Sequence, residues 1–394
     1  CNDYESADDA IKHYLKAAKA GMPEAICLAA AGPIIDKRVR FTNNHWEISA
    51  DELAATFSID AVRLLNDFEA IAYSVPYLTE DECMPIGLPE PGPLDADNYM
   101  VGIIGPGTGL GAVGLRKHGD LYLPIAGEAS HGGFAPETQV QIDILKALRE
   151  RFDRVSSERL VSGPGLENIY WALMRIHGEK RAHLAPAEIF RAAIDNSDSL
   201  ASEAVQMFFE VFGQVAGDFA LALGVQDGIF IAGGIAKRYP DLLKNSRFRS
   251  GFENKGRYRS LMERVPTQLI LHDQPGLLGA AYCALQLHET WGRTRLDNGI
   301  VFHRGTRARR RRDAFAVPGE FTCVYRLLVT VPGRVADDGD YYDQAHERRY
   351  DAECQREDNN RQPDDHGALV PEHCIDGGND RRDAVDVPVH EHRQ

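Results

Sequence analysis

The chain has 394 residues, 43% hydrophobic and 26% charged, which supports two or three globular domains at roughly 100–200 residues each. No run approaches the roughly 18 consecutive apolar residues that a membrane span needs, so a membrane span is excluded, and a formal net charge of -15 repels phosphate backbones, which argues against general nucleic-acid binding. Seven scattered cysteines without a CxxC pair fit neither a zinc module nor a disulfide-stapled secreted domain; with no basic and apolar leader in view, they point to the reducing cytoplasm.

In chain order, Ala10, Ile11, Tyr14, Leu15 and Ala18 repeat at helical spacing and predict a helix over 8–19. The apolar run 24–31, closed by Gly32-Pro33, reads as a buried strand and turn. Segments 38–41 and 45–48 suggest a hairpin. Ser49, with Glu52 three residues on, has the form of a helix N-cap. A strand over 61–65 leads into Asn66-Asp67, and 68–74 continues as a helix. Residues 99–104 form a strand that enters a glycine-rich turn. A helix follows over 139–151, and 201–224 is a long apolar helix with the helical period, destined for burial. A strand over 228–232 stops at Gly233-Gly234. A strand over 268–271 and a helix over 277–288 complete the body. Strands alternating with helices predict an α/β architecture.

Beyond residue 292 the composition changes. Residues 293–394 contain 17 Arg, no Lys and 20 acidic residues, with a basic run at Arg309 to Arg312. Only 321–331 reads as a strand. Such a segment buries too little apolar surface to offset its ordering entropy, so 293–394 is expected to be a disordered tail; translation in a shifted or readthrough frame would give the same bias.

Four segments carry chemistry. Gly105-Pro106-Gly107-Thr108-Gly109-Leu110-Gly111 follows a strand. Its main chain permits close ligand approach, and its N–H groups with the Thr108 hydroxyl suit an anion such as phosphate; a tight hairpin returning through 112–115 is the other reading. Asp67, after Asn66 at a strand end, is placed to take a proton from a substrate hydroxyl, or else to cap the helix that follows. In 127–134, Glu128 and His131 share a glycine-lined loop. A buried carboxylate there accepts two hydroxyl protons and the imidazole offers a donor and an acceptor, which suits a vicinal diol; two ligands do not make a metal site, and a solvated loop is the alternative. The strand ending at Gly233-Gly234 leaves room for a flat ring or a phosphate, or simply turns into a helix. Glu158 on its own is a helix-start residue.

The order of these segments resembles bacterial glucokinase, the ATP-dependent type within the hexokinase–actin superfamily. The resemblance spans residues 1 to about 292. It rests on Leu64 to Ala70, Gly105 to Gly111, Gly127 to Pro136, Val155 to Leu166, Gly228 to Ile235 and Asp273 to Gly279. It implies a two-domain hexokinase/actin-like (ribonuclease H-like) fold with an interdomain cleft, a small domain of 1–77 plus 273–292 and a large one of 78–272. It implies phosphoryl transfer from ATP, with Mg2+, to the 6-hydroxyl of glucose, and a homodimer in many members. Asp67 matches the family's catalytic base. Asn66, Glu128, His131 and Glu158 match residues that bind the other sugar hydroxyls. Gly105, Gly107, Thr108, Gly109 and Gly111 match a phosphate loop, and Gly233 and Gly234 the region near the adenosine. Positioning and charge stabilisation are what phosphoryl transfer chiefly requires. No Asp-x-Gly-Gly-Thr-Asn loop is present, and Cys1 to Ala18 match the family's first helix, so the chain is expected to be cut at the front and extended at the back. A glucose-binding fragment without turnover and a kinase for another hexose are the competing expectations.

Overall fold

The computed structural model describes residues 3–41, 46–94 and 96–297 and is a mixed α/β fold. Helix α1 (Ala7–Ala18) begins where the Ser6 hydroxyl accepts the Asp9 N–H and ends at Lys19 in the left-handed region. Strand β1 (Ile26–Ala30) follows, then the antiparallel pair β2 (Arg38–Arg40) and β3 (Glu47–Ser49). Helix α2 (Ala50–Phe57) is capped by Ser49, whose Oγ accepts the Glu52 N–H at 3.4 Å, as its sequence position implies. Strand β4 (Val62–Asn66) pairs parallel with β1 and runs directly into helix α3 (Asp67–Ser74).

Side-chain alternation divides these strands between two cores. Ile26, Leu28 and Leu64 pack with Ile11 and Leu15 of α1 and with Leu53 and Phe57 of α2. Cys27 and Leu65 belong instead to a cluster with Ala70 and Tyr73 of α3.

The second sheet contains β5 (Cys83–Pro85), β6 (Asn98–Pro106), β7 (Leu110–His118), β8 (Leu121–Ala126), β9 (Ile229–Ile231) and β10 (Thr267–Ile270), in the order β5-β10-β9-β6-β7-β8. Strands β6, β9 and β10 run parallel, and the other pairings are antiparallel. Within β6 the period of two is clear. Met100 and Ile104 join the core beneath α4 (Gln139–Leu148), α5 (Gly163–His177), α6 (Pro186–Ile194) and α7 (Ser199–Leu223). Tyr99, Val101 and Ile103 join Ala72 of α3 on the opposite face. Thus α3 packs on the β1–β4 pair and on the six-stranded sheet. Helix α7 is the apolar helix expected from its period, with Phe208, Phe209 and Phe212 fully buried; truncating one of them to alanine costs about 3–5 kcal/mol.

Short helices α8 (Gly234–Arg238), α9 (Pro240–Lys244), α10 (Phe248–Glu253) and α11 (Arg259–Met262) follow β9. The last helix, α12 (Pro275–Asp297), continues past its expected end at His288. A Cβ on Gly279 would lie 1.6 Å from the Ala70 carbonyl oxygen, so α12 meets α3 backbone to backbone. The basic run at Arg309 to Arg312, the strand read over 321–331 and all of the tail from residue 298 lie outside the described residues.

Candidate active site

The site is built outward from the junction of β4 and α3. Asn66 is the N-cap: its Oδ1 accepts the Phe68 N–H at 2.9 Å, while its own N–H donates to Glu69 Oε2 at 2.9 Å, closing a capping box. Its Nδ2 donates to the Gly32 carbonyl at 3.4 Å. The helix-cap reading of Asp67 is therefore corrected, because Asn66 performs that task and Asp67 is the first helical residue. Burial pushes the Asp67 carboxyl above the ordinary carboxylate value, and the nearby charge of Glu128 adds to the rise; hydrogen bonds from the backbone and from Asn66 oppose it. A carboxylate with a raised pKa is a better general base.

Residue Phe68 ties this junction to the second sheet. A Cβ on Gly111 would fall 2.0 Å from the Phe68 ring, so the ring occupies the space that the glycine leaves at the start of β7. The segment 105–111 is a hairpin: Gly105 pairs with Gly111 and Pro106 with Leu110, and the exposed Thr108 stands at its tip. Packing explains two more of its glycines. A Cβ on Gly105 would meet the Ala232 carbonyl oxygen at 2.1 Å, and one on Gly109 would meet Glu158 Oε2 at 2.6 Å. Only at Gly107 would a Cβ find open space, its nearest neighbour being 4.0 Å away. Gly233, at φ +89°, lies against the Pro106 carbonyl, whereas Gly234 is exposed with nothing near its Cβ direction. Gly107 and Gly234 are thus the glycines of this set whose absent side chains leave a ligand room. In the next turn, Lys237 Nζ is anchored by Asp273 at 2.7 Å and by the His272 carbonyl at 3.1 Å.

The loop after β8 presents Glu128 and His131 around a single 3-10 turn, Ala129–His131, with 3.9 Å between Glu128 Oε2 and His131 Nε2. The expectation of a buried carboxylate is corrected: the Glu128 side chain is 80% exposed and that of His131 55%, because the turn projects beyond the end of β8 and only Ser130 packs inward. The loop is nevertheless fixed. Gly133 bridges Ser156, the Ser157 N–H donates to the Gly132 carbonyl at 2.9 Å, and Arg154 Nη1 donates to the His131 carbonyl at 2.8 Å. This seam sets the loop beside the 3-10 turn Ser157–Arg159 that carries the half-buried Glu158. Glu158 Oε2 in turn accepts the Leu110 N–H of the hairpin at 2.9 Å.

Structure thus links Asp67 to Glu128 through charge, Glu128 to His131, Glu158 to the hairpin, and Gly233 to Pro106. Sequence reading missed the pieces that join them. Phe68 was read only as a helix residue, and Gly163, whose N–H donates to the Gly107 carbonyl at 2.9 Å, only as part of a motif. Among the described residues, no group of three or more His, Cys, Asp or Glu side chains gathers to hold a metal ion.

A family model described as glucokinase matches residues 1–287. The chain belongs to the glucokinase family. It is 40% identical over 284 residues to a glucokinase of Nitrobacter hamburgensis, covering 72% of this chain and 88% of the relative. It is 37% identical over 285 residues to a glucokinase of Hahella chejuensis, covering 71% and 86%. Among solved structures, the glucokinase of an Antarctic psychrotroph superposes with a TM-score of 0.67 at 33% identity over 72% of this chain and 87% of that one. A Balamuthia mandrillaris glucokinase in complex with glucose shares the fold, at a TM-score of 0.53 and 20% identity over 70% and 83%. The mixed α/β fold is accordingly that of the hexokinase/actin-like sugar kinases.

Proposed function

We propose that this chain transfers the γ-phosphoryl group of ATP to the 6-hydroxyl of glucose, with Asp67 as the base. The observation that carries this reading is the placement of Asp67. Its carboxyl is held at the strand–helix junction, is raised by burial, and lies within the field of Glu128, a second carboxylate suited to sugar hydroxyls. Asn66, Glu128, His131 and Glu158 then hold the remaining hydroxyls. Asn66 retains donor capacity at Nδ2 beyond its bond to Gly32, and exposed Glu128 and His131 reach their partners without breaking packing. The hairpin tip at Gly107, Thr108 and Gly109 and the turn at Gly233-Gly234 take the nucleotide.

The small domain comprises 1–77 plus 273–292 and the large one 78–272, with substrate in the cleft between them; closure would exclude water that competes for the phosphoryl group. Magnesium accompanies the nucleotide phosphates, a role that needs only one or two protein carboxylates, and no side chain is assigned to it. Free thiols at Cys27, Cys83 and Cys283 support a cytoplasmic setting, and no helix among the described residues is long and apolar enough to cross a membrane. Pairing as a homodimer extends the family pattern.

Asp67→Asn tests the assignment. The amide keeps the shape and the acceptor for Phe68, so glucose binding by calorimetry is expected to persist. Formation of glucose 6-phosphate by the intact protein is expected to drop about 10²–10⁴-fold. Wild-type turnover in this variant would remove Asp67 from the chemistry.

A further inference from the structure

Glu158 is held from two sides. The turn that carries it is rigid: the Ser162 Oγ donates to the Glu158 carbonyl at 2.8 Å while accepting the Gly165 N–H at 3.0 Å, and Asn168 Nδ2 donates to the Arg159 carbonyl at 3.0 Å. From that base the carboxylate spans to the hairpin and takes the Leu110 N–H. The contact answers a need of the hairpin. Leu110 is buried, and β8 pairs with β7 only from Val113 onward, so this N–H has no strand neighbour on β8; a buried N–H left unpaired is costly. The fit is close, since a Cβ on Gly109 would strike Glu158 Oε2. The Gly163 N–H, from the helix that follows the same turn, holds the Gly107 carbonyl. Both ends of the hairpin tip therefore hang on the segment 158–163. Only Oε2 of Glu158 is engaged in this way, and Oε1 has no hydrogen-bond partner among the described residues.

We propose that Glu158 is a positioning residue that couples the two substrates: Oε2 fixes the phosphate hairpin through the Leu110 N–H while Oε1 takes a sugar hydroxyl, so that sugar occupancy and hairpin geometry are set through one carboxylate. This rests on the reading above that the loop and turn bind glucose and that the hairpin binds nucleotide phosphate.

The test measures ADP affinity with and without saturating glucose, and glucose affinity without nucleotide, by calorimetry on the full chain. In the wild type, glucose is expected to change the ADP Kd about 5-fold or more, within the usual range of coupling between sites. Gly109→Ala, which displaces Glu158 Oε2 while leaving Asn66, Glu128, His131 and Glu158 themselves unsubstituted, is expected to weaken glucose binding about 5-fold or more in the absence of nucleotide and to bring the coupling factor to about one. A purely structural role would lower the melting temperature but leave that factor unchanged in the folded variant. Should Gly109→Ala fail to fold, Glu158→Asp supplies the same reading: it keeps the charge but is too short to serve both partners, and the coupling is expected to vanish. Normal glucose binding with an ADP Kd indifferent to glucose in the wild type overturns the coupling alone. A wild type that binds no glucose overturns the sugar site and the coupling with it.

Discussion

The hairpin at 105–111 and the loop at 127–133 are both rich in glycine and both read as ligand loops, yet glycine has a different task in each. In the hairpin, Gly105, Gly109 and Gly111 stand where a Cβ would collide with the Ala232 carbonyl, Glu158 or the Phe68 ring. In the loop, a Cβ on Gly127 or Gly133 would meet nothing within 4 Å. The first region owes its composition to backbone packing as much as to any ligand. In the second only Gly132 is so constrained, its Cβ falling 3.1 Å from the Ala129 carbonyl oxygen, and the exposed side chains of Glu128 and His131 are available to a substrate. A glycine-rich motif therefore does not by itself locate the ligand; the space around each glycine does.

The sharpest way to break this contrast is a pair of alanine substitutions followed by chemical denaturation. Gly105→Ala forces a Cβ against a main-chain carbonyl that has little freedom to yield, and is expected to cost about 1–3 kcal/mol of stability or more. Gly133→Ala is expected to stay within about 0.5 kcal/mol of the wild type. Equal stability in the two variants would dissolve the distinction.

A second test addresses the loop. Glu128→Gln and His131→Ala are each expected to weaken glucose binding by about 1–3 kcal/mol through lost charge-assisted hydrogen bonds. Their melting temperatures are expected to match the wild type, because both side chains are largely exposed. Unchanged glucose affinity in both would remove the loop from the site.

Legibility in the sequence followed the same divide between local and distant causes. Periodicity and caps exposed α1, β1, the Ser49 cap and the apolar helix α7, since each signal lies within a few neighbouring residues. Helices α5 and α6 were missed because each has proline in its first turn, which resembles a breaker although that position tolerates it. Strand β8 carries Pro124, and β5 is only three residues long, too short to show alternation. Family motifs indicated the candidate site residues. They did not indicate that Asn66 rather than Asp67 caps α3, or that Glu158 reaches Leu110, 48 positions away in the chain. Contacts of that span arise from tertiary packing and leave no local pattern.

The finest test concerns Asp67, which is tied to the hairpin through Phe68 and to the loop through the charge of Glu128. A base acts only when ionised, so phosphoryl transfer is expected to fall as pH drops through the Asp67 pKa. Burial raises that pKa first and Glu128 second, which places the acid limb of the rate profile above the ordinary carboxylate range. Glu128→Gln removes the negative charge but leaves the burial, so the limb is expected to move to lower pH without reaching the ordinary value. High salt is expected to shrink this shift, because Glu128 is exposed and its field is screened. Stability follows the same linkage. The folded state holds the Asp67 proton more tightly than the unfolded chain, so the contribution is complete below the unfolded pKa and is lost as pH rises through the folded one. Asp67→Asn removes this loss, and its melting temperature relative to the wild type is expected to climb between acidic and neutral pH. An acid limb that stays in place in Glu128→Gln would mean that burial alone sets the base, and that the loop contributes contacts to the sugar but no field at Asp67.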